Sequence, residues 1–197
     1  GDWLFYHPPV NSHTAADGFT ERDFIATAYY AYSASLLAEA AKVLGKTEDE
    51  KFYSDLFKKI KEVFIREYVT PAGRVGTCSQ TSYVLALKFN LLPDNLRKAA
   101  AEFLVADIKG RGNHLSTGFL GTIYLNHVLS AEGQTDVAYD LLLQETYPSW
   151  IYPVKMGATT IWERWDGQKT DSTFQDAGMN SFNHYAYGAI GDWMYRV

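Results

Sequence analysis

One cysteine, Cys78, stands in 197 residues. An internal disulfide and a cysteine-rich metal site are thereby excluded, no mark of an oxidising compartment is left, and Cys78 reads as small core filler. No basic run accompanies the net charge of −5, so neither a nucleic-acid backbone nor an anionic membrane is an expected partner. No stretch approaches the roughly 20 apolar residues of a membrane span. The opening GDWLFYHPPV has no basic flank before an apolar run, so no signal peptide is visible; the chain reads as soluble, with its compartment unknown. The five histidines, His7, His13, His114, His127 and His184, form no HExxH pattern and no helical pair at ligand spacing, which predicts no metal. Nucleophile elbow, Walker loop and dinucleotide fingerprint are missing too, and no cofactor is expected.

What is present is a balance of 47% hydrophobic and 21% charged residues, enough for one sizeable core and a single domain over residues 1–197. Helical signals dominate. Thr20-x-x-Asp23 reads as a capping box, followed by Phe24, Ala28, Tyr32, Leu36, Ala40 and Leu44 as a buried stripe up to Gly45. Thr47-x-x-Glu50 opens a second helix that buries Phe52, Leu56, Ile60, Val63, Phe64 and Tyr68. Further helices are predicted over about 81–91, 94–108 and 119–133, with a shorter one around Val137–Leu142 and a last one over about 182–195 that buries Phe182, Tyr185, Ala189, Ile190 and Trp193. Between 148 and 178 the helical period is lost and only 159–164 looks extended. The pattern predicts an all-α fold of paired antiparallel helices, with no fixed-period repeat and no internal linker.

The chemistry concentrates in TTIWERWDG, residues 159–167, answered by MNSFNHYAYGAIGDW, residues 179–193. Glu163 sits between Trp162 and Trp165, beside Arg164, Asp166 and Gly167. A pyranose offers C–H faces to indoles and hydroxyls to carboxylates, and bonds between sugars are cleaved by carboxylates in partly dry surroundings. The aromatic content of 15% suits such a cleft. The bland alternative is a structural strand, since tryptophans are commonly core, and His184 taken alone would be a packing residue.

Together with GDWL at 1–4 and HLSTGFLGT at 114–122, these two motifs closely resemble the closing part of the catalytic domain of α-L-rhamnosidases, glycoside hydrolase family 78. The resemblance covers essentially the whole chain. It implies a partial (α/α)6 barrel of six-hairpin glycosidase type and hydrolysis of terminal α-L-rhamnosides with inversion. It makes Glu163 the general base, His184 a contact to a sugar hydroxyl, and Trp3, Trp162 and Trp165 walls of the pocket. Asn180, Asn183 and Asp166 are expected to support them, or to serve as ordinary caps and turns. Rhamnose-containing glycosides are the expected ligands.

The family's general acid lies in an upstream stretch of the type RxERxGWxGD, and no such stretch occurs here. Fewer helices are readable than such a barrel needs. The chain is therefore expected to be the C-terminal part of the domain, inactive or nearly so alone, and, if soluble alone, either to form a homodimer through exposed helix faces or to close its helices into a smaller, altered arrangement. Asp17, Glu21 and Asp23 are weak substitutes for the acid, lying where caps usually sit. Two alternatives stay open: another (α/α)6 glycosidase, and a non-catalytic carbohydrate-binding or interaction module.

Overall fold

The computed structural model describes residues 1–8, 17–176 and 178–197. His13 and most of the Pro-containing loop around it lie outside the described residues. Among those described, backbone hydrogen bonding is spent almost wholly on helices: α1 (Arg22–Val43), α2 (Thr47–Tyr68), α3 (Gln80–Lys88), α4 (Asp94–Gly110), α5 (Phe119–Ala131), α6 (Thr135–Leu142), α7 (Ile151–Lys155), a 3₁₀ turn (Ala186–Ala189) and α8 (Ile190–Arg196). Among the described residues, strand pairing is limited to isolated bridges between Val69 and Val75 and between Gln168 and Phe174. The all-α class of paired helices expected from the sequence is what the chain adopts.

The centre is α3, in which every residue from Gln80 to Leu87 is buried. It packs against α1, α4 and α5, while α1 pairs with α2 and α5 with α6. No helix among the described residues is long and apolar enough to cross a membrane. Phe24, Phe64 and Tyr68 lock α1 to α2, with ring centroids 5.1–5.4 Å apart; such pairs contribute about 0.5–1.5 kcal/mol each beyond the area they bury. Gln80, fully buried, donates to Asp107 Oδ2 (2.9 Å) and the His114 carbonyl (3.1 Å) and accepts from the Ser116 N–H (2.8 Å). One amide thus ties the start of α3 to α4 and to the turn before α5.

Several expectations need correction. Leu36 of α1 and Leu44 at its C-cap are 46% and 72% exposed, and the buried face is Phe24, Ile25, Ala28, Ala31, Ala34, Ala38 and Ala41. The cause is geometric: steps of four advance 40° past a full turn, so a pure i+4 series walks round the helix, whereas mixed steps of three and four hold one face. In α2, Phe52 is exposed for the same reason; Val63 is exposed as well, while Ile60 and Phe64 are buried. Neither capping box forms. Glu21 and Lys46 occupy the N-cap positions without side-chain caps, and the Thr20 hydroxyl pairs instead with Ser79 Oγ at 2.6 Å. Ser79 is the cap that does form, accepting from the Ser82 N–H at 3.1 Å.

The segment read as loop contains α7, whose Pro153 falls in the first turn, where no intrahelical N–H is required. The last helix begins later than predicted, because residues 181–184 spend their backbone groups on residues 160–163. Phe182 and Tyr185 are accordingly exposed, at 36% and 88%, and Tyr187 is buried in their place. Trp193 is buried as expected and anchors α8, its Nε1–H donating to Ser130 Oγ (2.9 Å).

Candidate active site

The two chemistry-bearing motifs fold onto each other. The Glu163 N–H donates to the Ser181 carbonyl (2.8 Å), the His184 N–H donates to the Ile161 carbonyl (2.8 Å), and the Thr160 hydroxyl donates to the Phe182 carbonyl. The pairing runs antiparallel and sets Glu163 and His184 on one short ribbon. The Glu163 carboxylate closes it, with Oε2 accepting from the Ser181 N–H at 3.0 Å. Arg164 Nε–H donates to the Met179 carbonyl (3.0 Å) and Asn180 Nδ2–H to the Gly167 carbonyl (2.7 Å). Gly167 fits closely at this crossing: a Cβ there would lie 3.0 Å from Asn180 Oδ1 and 3.1 Å from the Trp162 ring, and those side chains would have to give by a few tenths of an ångström.

His184 lies against Phe119 and Tyr185, with centroids 5.2 and 5.4 Å away. Its Nδ1 accepts from the Ala186 N–H at 3.3 Å. A nitrogen that accepts carries no proton, so in the neutral ring Nε2–H is left as the donor. The imidazole is thereby set to offer a hydrogen bond to an oxygen.

The opening GDW is placed by a residue that sequence reading passed over. Asp2 is 2% exposed. Its carboxylate accepts from the N–H groups of Gly118 (2.8 Å), Leu120 (2.7 Å) and Gly121 (3.4 Å) and from the Thr81 hydroxyl (2.5 Å). It therefore satisfies orphan donors at the N-terminus of α5, as a cap brought from far away in sequence. Burial raises its carboxyl above the ordinary value, and these hydrogen bonds pull the other way. The Trp3 carbonyl accepts from the Phe119 N–H at 2.9 Å. Such an approach needs glycine at 118, where a Cβ would stand 2.2 Å from the Trp3 oxygen. The sequence shows an acidic residue at position 2 and a Gly-led helix start at 118, but nothing local links the two.

Trp3, 52% exposed, and Trp165 line a cleft of about 320 Å³ together with Tyr147, Arg164, Asp166 and Tyr187. Trp165 stacks on Tyr187 with 3.7 Å between ring centroids and meets Trp150 edge-on at 5.3 Å. Burial raises the Asp166 carboxyl, against the pull of Arg164 and Lys169. Desolvated carboxyls in aromatic clefts concentrate at ligand sites, which makes this cleft the candidate one. The expected site residues thus divide into two groups. Trp3 and Trp165 line the cleft, whereas Glu163, His184 and Trp162 do not; Trp162 is buried edge-on against Phe182, at 5.0 Å. Asp166 belongs to the cleft, Asn180 braces the ribbon, and Asn183 is exposed with its N–H on Ser181 Oγ (3.2 Å). Asp17 pairs with His7 at 3.2 Å, and neither it, Glu21 nor Asp23 reaches the cleft.

Comparison with known proteins places this arrangement. The α-L-rhamnosidase of Streptomyces avermitilis is 56% identical over 195 residues, which cover 99% of this chain and 18% of that protein. The crystal structure of the same organism's α-L-rhamnosidase complexed with L-rhamnose superposes with a TM-score of 0.91 at 53% identity, over 99% of this chain and 18% of that one. Native α-L-rhamnosidase from Aspergillus terreus superposes with a TM-score of 0.91 at 34% identity, over 100% of this chain and 23% of that one. The chain therefore spans less than a quarter of the length of these relatives. Residues 1–197 match throughout the bacterial α-L-rhamnosidase six-hairpin glycosidase domain, and the chain belongs to that family.

Proposed function

We propose that these residues supply the general base and part of the sugar pocket for inverting hydrolysis of terminal α-L-rhamnosides. The observation that carries this reading is the ribbon joining 160–163 to 181–184, which fixes Glu163 and His184 together in a chain of the rhamnosidase family. In this reading Glu163 takes a proton from water as the glycosidic bond breaks, while a carboxylic acid roughly 6.5–9.5 Å away protonates the leaving oxygen. His184 holds a sugar hydroxyl through Nε2–H, and Trp3 and Trp165 enclose the ring, with Trp162 packed behind them against Phe182. Rhamnose-containing glycosides or oligosaccharides are the ligands. The acid comes from residues beyond these 197, so the 197-residue chain alone is inactive or nearly so.

The test is Glu163→Gln in the intact polypeptide. The glutamine oxygen can still accept from the Ser181 N–H, so the ribbon stays closed. Hydrolysis of p-nitrophenyl α-L-rhamnoside should fall by about 10²–10⁴-fold, L-rhamnose binding should persist, and the wild type should release the inverted anomer first. Turnover kept in the variant removes the assignment. A second reading, a non-catalytic carbohydrate-binding module, draws on the absence of Glu163 from the cleft lining; rhamnose binding without any hydrolysis by the wild type would favour it.

A further inference from the structure

In the wall of the cleft lies a buried polar atom that the fold leaves unpaired. Tyr187 is 1% exposed, stacked on Trp165, met edge-on by Phe119 at 5.0 Å, and tied through its carbonyl to Trp150 Nε1–H at 3.0 Å. The ring is held from several sides, yet its hydroxyl has no hydrogen-bond partner among the described residues. The groups that act on its ionisation, after burial itself, are Asp2, Tyr147, Arg164 and Asp166. All four line the cleft, as Tyr187 itself does. Burial and the nearby carboxylates keep the phenol protonated, and it remains a donor over the whole neutral range.

An unpaired buried hydroxyl is unfavourable, whereas phenylalanine would fill the same stacked space without it. A polar group entering the cleft wall would satisfy it. Arg164 and Asp166 beside it supply a donor and an acceptor, and Trp3 with Trp165 supplies apolar faces. That set suits a hydroxyl-bearing sugar ring and offers little to a purely apolar ligand.

We propose that the Tyr187 hydroxyl is a hydrogen-bonding partner of a ring hydroxyl on the sugar held between Trp3 and Trp165, a specificity role that rests on the sugar-site reading above. The experiment compares wild type and Tyr187→Phe in the intact polypeptide, by calorimetric titration with L-rhamnose and its monodeoxy analogues and by melting without ligand. The variant should bind L-rhamnose about two- to tenfold more weakly and melt at the same temperature or higher. One deoxy analogue, weakened in the wild type, should be weakened no further by the substitution, which identifies the partner hydroxyl. Unchanged L-rhamnose affinity in Tyr187→Phe overturns the inference while leaving the sugar site standing. A lower melting temperature with an equal loss for every analogue assigns the hydroxyl to the fold and also overturns it. A wild type that neither binds L-rhamnose nor hydrolyses rhamnosides sinks the sugar-site reading, and the inference with it.

Discussion

Glu163 and Asp166 are three positions apart, yet their surroundings set them different tasks. Glu163 is pinned by a backbone N–H on the ribbon, whereas Asp166 stands in the cleft with its carboxyl raised by burial. The same dependence on surroundings makes His127 a pH-sensitive residue. Burial lowers its pKa, Lys88 and Arg196 add to the lowering, and Asp192 at 3.2 Å opposes it. The folded state therefore favours neutral imidazole. Its stabilising contribution is fully present above the ordinary histidine value of about 6.5 and is lost as pH falls below it through the folded value. Asp192, lowered by Arg196, acts in the same direction in a separate, more acidic window. Melting temperature followed from pH 8 to pH 5 should fall in the wild type and fall less in His127→Gln; parallel curves would place the acid sensitivity elsewhere.

At the level of elements, α5 depends on a residue outside its own segment. Its N-terminus has no side-chain cap from Gly118, and Asp2 supplies the missing acceptor. Asp2→Ala leaves those N–H groups and the Thr81 hydroxyl without a buried partner. The expected cost is about 2 kcal/mol, or a melting temperature roughly 4–8 °C lower for a chain of this size, measured by calorimetry. Because the same contact places Trp3 beside Phe119, L-rhamnose affinity should drop as well; a variant that melts like the wild type would deny Asp2 its capping role. The helices themselves were legible because their period is local. Their faces were less so: α1 buries alanines and leaves leucines outside, because which face is covered is decided by its packing against α2 and α3. The late start of the final helix was not legible at all, because nothing in SFNH reveals that residues 160–163 compete for its backbone.

For the whole molecule, the exposed side of the first hairpin presents Tyr30, Leu36, Leu37, Val43, Leu44 and Phe52. We propose that the 197-residue chain, prepared alone, covers this face with a second copy, since large apolar patches find a partner or aggregate. Light scattering after gel filtration should report a dimer that Leu44→Glu disrupts. A monodisperse monomer binding little hydrophobic dye would refute this.

Composition and periodicity by themselves determined the all-α class, the helical pairs and the two motifs where chemistry collects, because helix period and residue chemistry are written over a few neighbouring positions. The resemblance of those motifs pointed to the family that comparison then supported. Only the tertiary structure decided that Asp2 caps α5 across 116 positions, that the ribbon closes on Glu163, and that Tyr187 rather than Tyr185 is the buried ring at the cleft. These are contacts between segments distant in sequence, and their partners are chosen by three-dimensional packing and by the need of each buried polar group to find one.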